Sequence, residues 1–239
     1  MTEISKTADQ ALVLLAYVAE HGPLGTTDLA RRLQMHRTVV HRLLATLHGR
    51  GFVRRVGANY LPGTALLHLA QFVEPELIAA SRPILANLAQ EFGETFILTA
   101  LQGSHEAIQI EQVVGSHHFM RVQLTRGFRH SLAKGASGRS ILAFSDDSVI
   151  AYALAQSDDP DLLGQQLADV RELGYAVSSG DLSPGVHGVS VPVMLDKQPV
   201  ASVGVVYPAV REEAASTYVA ALKKAAAAIA RAVKQSRPA

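Results

Sequence analysis

Between Pro23 and Leu61 the chain carries seven arginines, Arg31, Arg32, Arg37, Arg42, Arg50, Arg54 and Arg55, against the single acid Asp28. These charges overlie two hydrophobic periods in succession. Val40, Leu43, Leu44 and Leu47 follow the i, i+3, i+4, i+7 spacing of a helix with one buried stripe. Phe52 to Val56 and Tyr60-Leu61 then read as two short strands around Gly57-Ala58-Asn59. A basic amphipathic helix followed by a basic hairpin confines this part of the chain to very few folds.

The preceding residues complete a pattern of three helices. Ala11, Leu14, Leu15 and Val18 recur at helical spacing and His21-Gly22-Pro23 stops them, which predicts a helix over roughly residues 6 to 20. Thr26 or Thr27 is expected to cap a second helix through its hydroxyl, with Leu29, Ala30 and Leu33 inward and the end near Gln34. After the short Gln34-Met35-His36 connection, the third helix presents Thr38 and Arg42 opposite its buried stripe, with Ala45 between them and His41 on one flank. A small, polar, basic face suits the major groove of DNA, where side-chain donors reach base edges. Arg37 and the hairpin residues Arg54 and Arg55 are placed to meet phosphates, and Thr26, Thr27 and His36 are further candidate DNA contacts. A solvated basic surface gives the same charge count; the ordered set of helices and hairpin is what favours a winged helix-turn-helix.

Beyond the hairpin, Pro62-Gly63 breaks the strand and Thr64 to Phe72 reads as a connecting helix. Residues 75–239 hold 14 basic and 16 acidic side chains, so the basic character belongs to the first part alone. Helical and strand patterns mix here: a helix to Phe92, strands over 95–101, 107–114 and 120–124, and β-rich runs at 189–193 and 200–206 around a Leu195 to Pro199 turn. Tyr218, Leu222, Ala225 and Ile229 line a last helix. The expected fold class is α+β: a winged helix-turn-helix over 1–62, a linker helix over 63–74, and over 75–239 an antiparallel sheet flanked by helices.

Composition and motifs weigh against other classes. There is no cysteine, which removes disulfides, thiolate metal sites and cysteine nucleophiles and suits a reducing, cytoplasmic setting. No run approaches the roughly 20 apolar residues of a membrane helix. Gly135-Ala136-Ser137-Gly138-Arg139-Ser140 fails as a phosphate loop, which needs Gly at position 133 and Lys at 139. It also fails as a hydrolase elbow, which needs Gly at 139. It reads better as a turn entering a helix, whose N–H groups can receive a carboxylate. His117-His118 has no second metal-spaced set, so neither a metal, a cofactor nor a catalytic residue is expected.

The run GPLGTTDLARRLQMHRTVVHRLLATLHGRGFVRRVGANYLPGTALLHLA resembles the DNA-binding half of the IclR family of bacterial regulators. KGASGRSILAF and RELGYAVSSGDLSPGVHGVSVPV resemble its effector-binding half, a domain with a GAF-like sheet. Thr38-Val39 stands where the family usually has Ser-Thr, and His36 where it often has Pro. The resemblance implies a regulator, more often a repressor, that binds operator DNA as a homodimer or pair of dimers and answers to a small organic effector. It implies an effector pocket of Phe119, Val122, Ala136, Ser137, Ser178, Val186, Gly188, Gly204 and Val206. Members that take small oxo or hydroxy acids tend to carry an acidic residue, a Cys and two Ser at the positions matching Ser178, Gly188, Gly204 and Val206. Two glycines and a valine there are expected to make this pocket larger and drier, suited to an aromatic acid held by Ser137, Ser178 and backbone N–H groups. The competing readings are a metabolic enzyme and a module whose winged helix binds protein.

Overall fold

A computed structural model describes residues 4–103, 105–211 and 215–236. The chain divides into two compact units, Met1–Pro75 and Glu76–Ala239.

In the first unit, α1 (Lys6–His21) leads through the two-residue strand β1 (Leu24–Gly25) into α2 (Thr26–Arg32) and α3 (Arg37–Gly49). The hairpin β2 (Val53–Val56) and β3 (Asn59–Pro62) follows, and then α4 (Ala65–Ala70). Leu14 and Val18 of α1, Leu29 of α2, and Val40, Leu43, Leu44 and Leu47 of α3 meet Val53 and Tyr60 of the hairpin in one cluster. Each fully buried aliphatic side chain contributes about 1.5–3 kcal/mol, so the helical stripe read in the sequence is what seats α3.

Two details differ from expectation. Neither Thr26 nor Thr27 caps α2: Gly25 is the N-cap, and no side chain bonds there. The cause is β1, absent from the sequence reading, which pairs Leu24 with Tyr60 and Gly25 with Asn59. With Gly25 held as the last residue of a strand, the helix starts at Thr26 itself, one position before a threonine hydroxyl could serve. The connecting helix is also shorter than predicted, six residues instead of nine.

The second unit opens with α5 (Pro75–Phe92) and the strands β4 (Thr95–Gln102), β5 (Glu106–Val113) and β6 (Arg129–Ser131). Next come α6 (Gly135–Leu142), α7 (Asp147–Ala155), α8 (Pro160–Leu173), β7 (Ala176–Ser179), β8 (Val186–Leu195), β9 (Gln198–Pro208) and α9 (Ser216–Ser236). The sheet is antiparallel throughout, in the order β6-β5-β4-β9-β8-β7. The β8–β9 turn places Asp196 and Lys197 at φ 47° and 69°, the left-handed pair that a tight hairpin demands.

Alternation along the strands splits the core in two. Phe96, Leu98, Val189, Val191, Val203 and Val205 face α5 and α9, where Tyr218, Leu222, Ala225 and Ile229 close one cluster. On the other face Ala107 meets Leu132, Ala136, Ile141, Leu142, Leu163 and Leu167 of the α6–α8 layer. The sheet is therefore covered on both sides.

The strand expected over 120–124 is not formed; the third strand on that edge is β6. Residues 121–125 alternate in burial, which is the signal the sequence carried. Their backbone is held by side chains instead of a ladder: Thr95 Oγ1 donates to Val122 O (2.5 Å), and the Gln112 carboxamide donates to Leu124 O (2.5 Å) and accepts from Leu124 N (3.2 Å).

Candidate DNA-binding surface and effector cavity

On α3, Arg37, Thr38, His41, Arg42 and Ala45 are all exposed while Val40, Leu43, Leu44 and Leu47 are buried. The turn before it bends at Gln34 (φ 52°) and is closed by Met35 N donating to Ala30 O (3.0 Å). His36 is the N-cap of α3 by backbone position alone, leaving its ring exposed. Thr46 Oγ1 donates to Arg42 O (3.1 Å).

Arg54 and Arg55 are exposed on β2, and Arg55 Nε donates to Gly57 O across the hairpin tip (2.9 Å). Thr27 is exposed and Thr26 half-buried at the start of α2. Two of the arginines are engaged within the unit: Arg31 pairs with Asp28 (2.9 Å) and Arg32 donates to the Tyr17 hydroxyl (3.3 Å), which raises its pKa further. The predicted residues of α3 and the hairpin are thus exposed on a single compact unit.

A cavity lies between the sheet and the start of α6. Of the nine residues the resemblance placed around an effector, Ala136, Ser137, Ser178, Val186, Gly188 and Val206 line it. The structure does not bring the other three to its wall. Phe119 is fully exposed, Val122 offers its carbonyl to Thr95, and Gly204 sits behind Ser190.

The cavity is small, and its walls are mostly apolar. It encloses about 40 Å³, room for a few waters at most. The space that Gly188 and Gly204 leave is taken by neighbouring hydroxyls: a Cβ on Gly188 would stand 2.9 Å from Ser178 Oγ, and one on Gly204 2.1 Å from Ser190 Oγ. Facing glycines across β7–β8 and β8–β9 are thus filled by serines from the adjacent strand, a pairing visible only in the register.

The remaining wall comes from residues the sequence reading missed. Ile97, Thr99, Gln109, Leu124, Phe128, His130, Leu182 and His187 line the cavity as well. Among the described residues that line it there is no Asp, Glu, Lys or Arg. Ser137 stands in the first turn of α6, where backbone N–H groups lack helical acceptors; the side chain of the N-cap Lys134 supplies none.

Ser137 Oγ lies 3.1 Å from His130 Nε2, and His130 Nδ1 lies 3.0 Å from Ser131 O. A carbonyl only accepts, so the proton sits on Nδ1 and the Ser137 hydroxyl donates to Nε2. Burial lowers the His130 pKa from its ordinary 6.5, which keeps the ring neutral.

Three ion pairs, made to the two carboxylates Glu111 and Asp181, hold the wall segments. Glu111, 1 % exposed, receives Arg126 (2.5 Å) from the 120–128 segment and Arg82 (2.6 Å) from α5. Arg139 of α6 donates to Asp181 (2.6 Å) and Val177 O (2.8 Å), fixing the loop that carries Leu182. The residue that spoils a phosphate loop is therefore an internal strut.

Family models match both parts of the chain: the IclR helix-turn-helix domain over residues 7–57 and the bacterial transcriptional regulator IclR C-terminal domain over 70–231. The chain belongs to the IclR family. It is 31% identical over 216 residues to the transcriptional repressor IclR of Escherichia coli, spanning 83% of this chain and 78% of that protein. A putative IclR regulator from Silicibacter sp. TM1040 superposes with a TM-score of 0.83 at 29% identity over 97% of this chain and 98% of that one. An IclR homolog from Microbacterium hydrocarbonoxydans, solved with 4-hydroxybenzoate, shares the fold with a TM-score of 0.83 at 21% identity, covering 95% and 98%. As a member of the IclR family the chain is a DNA-binding transcriptional regulator and not an enzyme. No helix among the described residues is long and apolar enough to cross a membrane.

Proposed function

We propose that this IclR-family regulator represses transcription from an operator gripped by α3 and the wing, and that an organic acid with an apolar or aromatic body, seated in the α6 cavity, changes its hold on that DNA. The exposed face of α3 carries the DNA reading: Thr38, His41 and Arg42 address base edges, while Arg37, Arg54 and Arg55 address phosphates, with Thr26, Thr27 and His36 at the margin.

The effector reading rests on the cavity at the start of α6. An anionic head fits uncapped N–H groups beside the Ser137 and Ser178 hydroxyls. Ile97, Leu124, Phe128, Leu182, Val186 and Val206 supply the apolar walls for its body. The likeness to the 4-hydroxybenzoate complex agrees with a ring-bearing acid. An aromatic ring exceeds the enclosed space, so binding must displace walls, and Leu124 and Leu182 lie outside the strands of the sheet. A ligand that binds one arrangement of those walls better shifts the population toward it. Residues 63–74, which join the DNA-binding part (1–62) to the effector part (75–239) in sequence, carry that change.

Dimerisation is part of the proposal, because a single small wing unit reads too few base pairs for tight binding. Within the first unit, α1 exposes Leu12 and Val13 and the α4 region exposes Leu67, Leu69, Phe72 and Val73, an apolar set that a second copy would cover. A mobility-shift assay with DNA upstream of the regulator's own gene, run with and without benzoate-type acids, glyoxylate and pyruvate, tests the whole reading. Retarded DNA released by an aromatic acid supports it. No sequence-specific shift, or a response to glyoxylate or pyruvate alone, defeats it.

A further inference from the structure

We propose that Gln109 sets the specificity of the cavity, and that the effector carries, besides its acid group, a second group able both to donate and to accept a hydrogen bond, such as a ring hydroxyl. This rests on the acid-effector reading above.

Gln109 is 2 % exposed on β5, and it lines the cavity. Neither its Nε2 nor its Oε1 has a hydrogen-bond partner among the described residues. Its backbone is fixed on the side of the loop: Gln109 N donates to Phe128 O and Gly127 N donates to Gln109 O, each at 2.9 Å. The side chain therefore starts from a rigid point. In register beside it are Thr99 of β4 and then Ser202 of β9, and Ser202 Oγ is also buried without a partner. A polar row thus crosses three neighbouring strands of the sheet.

Leaving a buried carboxamide unpaired destabilises a fold, and a methionine of similar length would fill the same space at no such cost. A ligand group that completes the pairing explains the residue. A carboxylate is a poor candidate for it, because it only accepts and would leave Oε1 unmet. The acid therefore goes to the N–H groups at the start of α6, and Gln109 takes a different group, one with a proton to give and a lone pair to receive.

The test is calorimetric titration of the full chain with benzoate, 3-hydroxybenzoate and 4-hydroxybenzoate, in wild type and in Gln109→Met, with Gln109→Leu as a second variant should the first fold poorly. One of the hydroxy acids is expected to bind wild type about tenfold or more tighter than benzoate. The variant is expected to bring that ratio to within about twofold and to melt at a higher temperature without ligand. Equal binding of all three acids to wild type, or a hydroxyl preference that survives in both variants, overturns the role of Gln109 while leaving the acid reading standing. Wild type that binds none of the three acids overturns the acid reading, and this inference falls with it.

Discussion

Arginines of this chain fall into different physical roles that a charge count merges. Arg139 is buried and its donors are spent on Asp181 and Val177, whereas Arg42 is exposed at the centre of the α3 face. Arg42→Ala is expected to cost about 1–3 kcal/mol at the operator and to relax its selectivity. Arg54→Ala is expected to weaken binding to every sequence and to reduce the slope of log affinity against log salt by about one. Titrations of operator and scrambled DNA at several salt concentrations separate the two, and wild-type behaviour in both variants defeats the assignment. At the cavity, His130 is held neutral by burial. Its folded pKa lies below 6.5, so on acidification the unfolded chain takes a proton that the folded one refuses, and stability falls as the pH drops below about 6.5. Thermal melts at pH 7.5 and 5.5 are expected to show a smaller acid loss for His130→Asn than for wild type; equal losses count against a buried neutral ring.

At the scale of elements, the wing depends on one close crossing. Gly63 N donates to Phe52 O (2.8 Å), and Ala65 N donates to Gly51 O (3.2 Å), so the end of β3 runs directly over the turn that leaves α3. A Cβ on Gly63 would stand 2.0 Å from Gly51 O, a backbone atom that cannot swing aside. Gly63→Ala is therefore expected to cost about 1–3 kcal/mol as overpacking and to loosen the hairpin that presents Arg54 and Arg55. A lowered melting temperature with weaker binding to all DNA is the expected result; an unchanged melt shows that the crossing has slack. The sequence announced a break at Pro62-Gly63 but not the reason Gly is needed there, because the atom it avoids lies twelve residues earlier. The 120–124 segment makes the same point from the other side. Its alternation is real, yet Gln112 and Thr95 take up its carbonyls, and only their positions on β5 and β4 decide that.

At the scale of the molecule, the exposed Leu67, Leu69, Phe72 and Val73 predict association through the first unit. Leu67→Glu with Leu69→Glu is expected to shift the mass measured by light scattering toward the monomer and to weaken operator binding, with little change in helix content by circular dichroism. An unchanged dimer removes this surface from the interface.

How much of the architecture was legible follows from where the information lies. Helical period, the basic third helix, the Gly-centred hairpin and the strand runs are local properties of the chain, and each is written within about a dozen residues. The winged unit and the α+β character of the rest are therefore written in the sequence itself. The cavity is not, because its walls are non-local. Ser178 fills the space beside Gly188 and Ser190 that beside Gly204 only because β7, β8 and β9 pair in one register. Gln109 had a faint local signal, a polar residue sharing one strand face with Ala107 and Glu111. Its unmet carboxamide became visible only when Thr99, Phe128 and α6 were placed around it. By itself the sequence determined the three helices and hairpin of the first unit and which face of α3 is polar, since those depend on spacing along one strand or helix. The tertiary structure alone decided the size and polarity of the cavity, since those depend on side chains from distant segments competing for the same few ångströms.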